Sequence, residues 1–259
     1  SKSPGAEFLN AFGVDLNKVQ AGFDTRNKLP SFGRPKIPVK RADTAAIKDI
    51  FERAWGMNYF YVRRTSNGWK VFYILGNPQI NKDFLLGNTI LLKCEDSYIH
   101  VAKKVVMGIK FIYDNYEVEQ GILRCGDDLV FNETTLVNFL KMEGKPDYMG
   151  VMANDNMPNT VVPQNNNFMP AYYLSHQEDL QNPLHGIPYN MHEMMQFNKV
   201  PKLKYAGGVV VYMSNKSCNT LVAHFESIGW NVFLSDDTYG YPYIIEDIAV
   251  GYILHMNNI

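Results

Sequence analysis

Residues 121–131 read GILRCGDDLVF, a short apolar run from Gly121 to Arg124 followed at once by two adjacent carboxylates, Asp127 and Asp128. The run reads as a buried strand, and its neighbours set the fold class. Upstream, between Ser97 and Tyr113, Val101, Val105, Ile109 and Ile112 fall on one helical stripe. Downstream, Glu133–Met142 has helical spacing and Tyr148–Met152 is another short strand. Working back, Trp69–Leu75 (WKVFYIL) is an almost unbroken apolar run closed by Gly76, Asn77 and Pro78, as expected of a strand covered on both faces, with a second short strand at Ile90–Leu92. From Asp43, the residues Ile47, Ile50, Phe51, Ala54 and Trp55 recur at helical spacing, with Asp43 or Thr44 as cap and Gly56 as stop. Helices thus alternate with mostly apolar strands, the pattern of an α/β sandwich with a largely parallel sheet.

The remaining chain fits one domain. Residues 1–40 carry Pro4, Pro30, Pro35 and Pro38 with little periodicity and read as an extended or partly disordered arm; residues 41–259 form the single domain. From Asn154 to Lys199 the sequence is rich in Asn, Pro, Gln, Met and His, and a loop that long is more often functional than accidental. Regularity returns with a strand at Val209–Met213, a helix after Ser214 and a last helix from Glu246 to His255. No internal repeat is present.

Composition narrows the function classes. Of 259 residues, 25 are Lys or Arg and 26 are Asp or Glu, a net charge of -1 that leaves no basic excess for nucleic acid. No apolar run approaches the roughly 18 residues that cross a bilayer, and the opening SKSPGAEFLN lacks the apolar segment of a secretory signal. Cys94, Cys125 and Cys218 have neither disulfide nor zinc spacing and read as buried small hydrophobes.

Three features carry chemistry. In open α/β sheets the ligand crevice lies at the carboxyl ends of the strands, so Asp127 and Asp128 would project into it, where hard oxygen ligands suit Mg²⁺ or Mn²⁺ carrying a diphosphate. A solvated turn is the alternative for the dipeptide alone. Glu246-Asp247 stands where the last helix begins; the dipole there favours a charged carboxylate waiting for a proton, or the pair simply caps the helix. Tyr205-Ala206-Gly207-Gly208 precedes a strand, and its paired glycines permit close approach of backbone to a ligand, or an ordinary tight turn. His176, His185 and His192 have no helical metal spacing; with Tyr172, Tyr173, Tyr189 and Phe197 their segment suits an acceptor wall or a packed loop. His100 and a partly buried His255 read as structural.

Taken in order, these motifs carry a resemblance. Trp55-Gly56, Ile74-Leu75-Gly76, Asp96-Ser97-Tyr98, Lys104, Met107-Gly108, Asp127-Asp128-Leu129-Val130-Phe131, Tyr205-Ala206-Gly207-Gly208 and Glu246-Asp247-Ile248-Ala249-Val250-Gly251 match in order the pattern of the beta-1,3-glycosyltransferases of the galactosyltransferase and Fringe type. The chain resembles that family over roughly residues 41 to 255. Gly126 stands where the family's tri-aspartate has its first acid, and a family metal-binding His expected beyond the last motif has no clear counterpart.

The resemblance implies a GT-A fold, a Rossmann-like mixed sheet flanked by helices. It implies an inverting, metal-dependent transferase that moves a sugar, with galactose favoured, from a UDP-sugar to a hydroxyl of a glycan or glycoprotein acceptor. By position, Asp128 would ligate Mn²⁺ or Mg²⁺. Asp127, Asp96, Lys104, Tyr205, Gly207 and Gly208 would contact the donor, and Asp247, with Glu246 beside it, would be the catalytic base. The alternative from another class is a catalytically silent glycan- or nucleotide-sugar-binding protein; a two-metal phosphohydrolase lacks the further ligands such sites assemble. Sequons at Asn132 and Asn215, the odd cysteine count and the absence of a signal or anchor favour the cytoplasm, the alternative being the Golgi lumen with an anchor upstream.

Overall fold

The computed structural model describes residues 58–64, 68–126, 133–152, 177, 181–183, 203, 205–234, 236 and 241–259. The expected arm, the helix from Asp43, the Asp127-Asp128 pair, Asn132 and nearly all of the 154–199 segment lie outside them.

Among the described residues the strands are β1 (Asn58–Arg64), β2 (Gly68–Gly76), β3 (Phe84–Leu86), β4 (Thr89–Leu92), β5 (Ile122–Cys125), β6 (Tyr148–Met152) and β7 (Ala206–Met213). They form one mixed sheet in the order β3-β4-β2-β1-β5-β7-β6. Only β2 and β4 pair in parallel; every other neighbouring pair is antiparallel. The expectation of a largely parallel sheet is therefore corrected, and the register shows why it arose. The strands read over the first 150 residues, β2, β4, β5 and β6, all run in one direction, as alternation with helices requires. Alternation fixes direction but not adjacency. Strands β1, β3 and β7 run the other way and interleave, with β1 folding back on β2 after the short connection 65–67 and separating β2 from β5.

Among the described residues helices α1 (Val101–Asn115), α2 (Glu133–Lys141), α3 (Asn215–Ser227) and α4 (Glu246–Met256) accompany the sheet, with a 3₁₀ turn at Tyr98–His100 leading into α1. Helix α1 packs on β2 and β4, while α3 and α4 pack on β7 and against α1. The stripe on α1 is the reason: Val105, Ile109 and Ile112 are fully buried, facing Phe72, Ile74, Ile122 and Met213 of the sheet in one core. Side chains alternate along a strand, so Leu123 and Tyr212 point to the opposite face, where the Tyr212 ring meets Phe139 of α2 edge-on at 6.0 Å. Ser214 caps α3 by accepting a hydrogen bond from the Ser217 N–H. Next to it, Asn215 accepts from the Tyr113 hydroxyl, and its amide nitrogen donates to the carbonyls of Val118 and Glu119. Among the described residues no helix is long and apolar enough to cross a membrane.

This topology brings one edge of the sheet into focus. The carboxyl ends of β2, β4, β5 and β6 and the amino end of β7 all lie along it, so Gly76, Asp96, Gly126 and Tyr205–Gly208 come to the same side.

Candidate functional site

The site is built on an irregularity in β7. Gly150 of β6 opposes Val211, yet Met152, two residues on, opposes Ala206, five residues back. The extra residues of β7 form a bulge across Gly207–Val210, and a bulge resets which face each residue presents. Gly208 consequently faces Arg124 of β5 and the first turn of α4. A Cβ on Gly208 would lie 2.9 Å from Glu246 Oε2 and 3.3 Å from an Arg124 terminal nitrogen, so a side chain here would displace both. A second glycine locks the same elements: a Cβ on Gly251, one turn after Asp247, would lie 2.4 Å from the Tyr205 Cβ. The Tyr-Ala-Gly-Gly and Glu-Asp-x-x-x-Gly motifs, about forty residues apart in sequence, are thus two halves of one contact.

Glu246 and Asp247 open α4, with Ile245 as N-cap. Neither acid is the cap residue, although Asp247 Oδ1 accepts from the Ile248 N–H at 3.1 Å. Glu246 Oε2 accepts from an Arg124 terminal nitrogen at 2.9 Å, and the two side chains are 12 % and 7 % exposed. Burial pushes the Glu246 carboxyl up to about 7, aided by the neighbouring Asp247 and opposed by Arg124 and Lys104. Burial also raises Asp247, against the backbone N–H groups of Ile248 and Gly208 and the Arg124 charge, which favour its anion. A carboxylate whose proton affinity is raised toward neutrality is a stronger base, and that is the property a proton-accepting role needs.

Two further side chains belong to the cluster and were not assigned a role from sequence. The Tyr148 hydroxyl accepts from the Ala206 N–H at 2.9 Å, and burial, with the fields of Glu246 and Asp247, raises its pKa and holds it as a neutral phenol. Arg124, 6 % exposed, has its Nε and one terminal nitrogen buried with no hydrogen-bond partner among the described residues. The signal for Arg124 was visible as a lone cation inside an otherwise apolar strand, a placement that demands a partner.

No family model matches this chain, and no curated protein matches it significantly. Its chemistry is read from the residues themselves.

Asp96 and Lys104 lie deeper. Lys104, fully buried, donates to Asp96 Oδ1 at 2.6 Å, while Asp96 Oδ2 accepts from the Gly76 N–H at 2.9 Å. This pair ties the end of β2 to α1 and places a positive field near Glu246. Tyr205 is half-buried near Asp247, and burial together with that carboxylate raises its pKa. His100 is structural as expected, its Nδ1 sharing a 2.8 Å hydrogen bond with Ser97 Oγ and its ring edge-on to Phe233. His255 differs from expectation: it is exposed in the last turn of α4, because the buried stripe there runs through Val250, Ile253 and Leu254. The three cysteines are buried and none forms a disulfide, with burial raising the Cys94 and Cys218 thiols. Asp127 and Asp128 lie outside the described residues, among which no three His, Cys, Asp or Glu side chains gather to hold a metal.

The raised Glu246 carboxyl gives a pH prediction. With a folded value of about 7 against an ordinary 4.5, the fold binds the extra proton. That contribution is complete below pH 4.5 and is lost as pH rises through about 7. Wild type is expected to lose up to ~3 kcal/mol from this group across the window, at ~1.4 kcal/mol per unit. Glu246→Gln, which cannot ionise, removes that loss. Urea denaturation of both proteins at pH 5 and pH 8 measures the difference; identical pH dependence would contradict the assignment.

Proposed function

We propose that this chain is an inverting, metal-dependent glycosyltransferase that moves a sugar, galactose favoured, from a UDP-sugar to a hydroxyl of a glycan acceptor. One observation carries the reading: Arg124 at the end of β5, the Gly207–Gly208 bulge and the acid pair of α4 converge from three distant stretches of sequence on one sheet edge. Asp127 and Asp128 follow Arg124 within four residues, a length of chain that spans at most about 14 Å. Chain length therefore permits both acid sites to serve one bound donor.

In this reading Asp247 accepts the proton of the acceptor hydroxyl as the oxygen attacks the anomeric carbon. The carbon–oxygen bond to the diphosphate breaks on the opposite side, so configuration inverts. The backbone of Gly207 and Gly208 admits the donor closely, and Glu246, held by Arg124, keeps the first turn of α4 in place. A divalent cation held by Asp128, when bound, would neutralise charge on the departing diphosphate. The metal part of the reading rests on the resemblance, as does the GT-A designation of the observed mixed α/β fold. For the compartment we propose the cytoplasm. Use of the Asn215 amide in two structural hydrogen bonds supports this, and a glycan on Asn215 of the natural protein would overturn it.

The test is a panel of UDP-sugars assayed with Mn²⁺ for slow hydrolysis and for transfer to glycan acceptors, beside simple phosphate esters. Release of UDP from one donor, accelerated by an acceptor, is expected. Cleavage of phosphate esters at comparable rates would favour a phosphohydrolase, and binding without turnover a silent sugar-nucleotide receptor.

A further inference from the structure

We propose that Tyr148 is a positioning residue for Asp247: its hydroxyl holds the Ala206 N–H, which fixes the β7 bulge so that the Gly208 N–H stays on the Asp247 carboxylate. The inference rests on the transferase reading, in which Asp247 is the base, and deepens it by naming a side chain outside α4 that keeps this base ionised.

The starting point is a side chain that leaves its own cross-strand partner. Tyr148 lies opposite Met213 at one end of β7, yet its hydroxyl accepts from the N–H of Ala206, at the other end, at 2.9 Å. The side chain therefore leans along the sheet toward the bulged end of the strand. Gly150, two residues on and on the same face, lets β7 close in: a Cβ there would lie 2.6 Å from the Ala206 Cβ and 2.8 Å from the Val210 carbonyl oxygen. Both flanks of the bulge thus rest on Gly150, and Tyr148 ties one of them by a hydrogen bond. Between those flanks Gly208 gives its N–H to Asp247, which also accepts from the Ile248 N–H at 3.1 Å. Bulges re-aim strand residues beside functional sites, and here the re-aimed group is a backbone donor. Ala206 is fully buried, so without the phenol oxygen its N–H would be stranded, and an unsatisfied buried donor is costly enough to move the strand end.

The surroundings of Asp247 decide the consequence. It is faced by Glu246 on its own helix, Arg124 of β5, Tyr205 before β7 and Tyr148 of β6. Burial favours its protonated form, while Arg124 and the N–H groups of Ile248 and Gly208 favour the anion. Burial keeps Tyr148 a neutral phenol, so it brings no charge to Asp247 and acts through the bulge. Losing the Gly208 donor therefore raises the proton affinity of Asp247, and less of the base is ionised at a given pH.

The test is a pair of NMR titrations, of the Asp247 carboxyl with ¹³C-labelled aspartate and of the Gly208 amide with ¹⁵N-labelled glycine. In wild type the Gly208 amide is expected to follow the Asp247 titration. That response should vanish in Asp247→Asn and persist in Glu246→Gln, which silences the neighbouring carboxyl. This arm needs no change at Tyr148, and a Gly208 amide that ignores Asp247 would overturn the inference. In Tyr148→Phe, confirmed folded by circular dichroism, the Asp247 midpoint should rise by about one pH unit, the scale of one lost hydrogen bond to a charged group, and the Gly208 amide should stop following it. An unmoved midpoint, or a raised midpoint that Gly208 still follows, would overturn the inference as well. Activity is read separately: the acid limb of the transfer rate should move up with the midpoint, while KM for the UDP-sugar changes less than about twofold. A raised midpoint with an unmoved limb would remove Asp247 as the base and leave its positioning by Tyr148 intact.

Discussion

Asp247→Asn is expected to lower sugar transfer by ~10²-fold or more while leaving donor affinity within a few fold, the signature of a positioned general base. The side chain sits in the first turn of α4, where burial raises its proton affinity and the N–H groups of Ile248 and Gly208 hold its oxygens in place. Asparagine preserves the shape and accepts one of those bonds, but it cannot take the acceptor proton. Glu246→Gln should be milder for the same reason, since its amide oxygen still accepts from Arg124. Initial rates and donor titrations on the two variants separate the roles. Equal losses of donor affinity and rate in Asp247→Asn would make this residue a donor ligand or a helix cap.

The second large effect is on stability. Lys104→Met is expected to cost ~3–5 kcal/mol, the range for removing one partner of a buried ion pair. Its ammonium is fully buried, 2.6 Å from an Asp96 carboxylate that also receives the Gly76 N–H. Without Lys104 that carboxylate keeps its bond from the Gly76 N–H but loses the Lys104 charge. Adding Asp96→Asn should recover part of the loss, because the amide oxygen still serves Gly76 without a buried charge. Urea denaturation of the single and double variants reads both numbers. A loss under about 1 kcal/mol for Lys104→Met, well below the range for a broken buried pair, would show that the ion pair does not hold β2 and α1 together.

Much of the architecture was legible because hydrophobic period reports directly on burial. The α1 stripe, the short apolar strands β4, β5 and β6, and the acid-led last helix all stand where the pattern put them. Adjacency was not legible. Strand β1, NYFYVRR, lies between Gly56 and the Asn67-Gly68 pair and carries the aromatic and β-branched residues of a strand, but its place between β2 and β5 is a matter of pairing, which sequence pattern does not report. Strand β3 is three residues long, too short for period to register. At the site, motif spacing identified Tyr205–Gly208 and Glu246–Asp247 as candidates, but not that Gly251 and Gly208 join them, since that contact depends on the β7 bulge. Arg124 and Tyr148 were passed over for a related reason. A strand residue declares its partner only once the sheet register is known, and both are strand residues whose partners come from α4 and β7.

The most direct measurement of the central claim is calorimetric titration of UDP into wild type and Asp128→Ala, each with Mn²⁺ and again with a chelator. A sugar-nucleotide transferase with its metal at Asp128 predicts saturable binding by wild type that Mn²⁺ strengthens, and binding by Asp128→Ala that no longer responds to Mn²⁺. Absence of UDP binding by wild type under both conditions, or an unchanged Mn²⁺ response in Asp128→Ala, would contradict it.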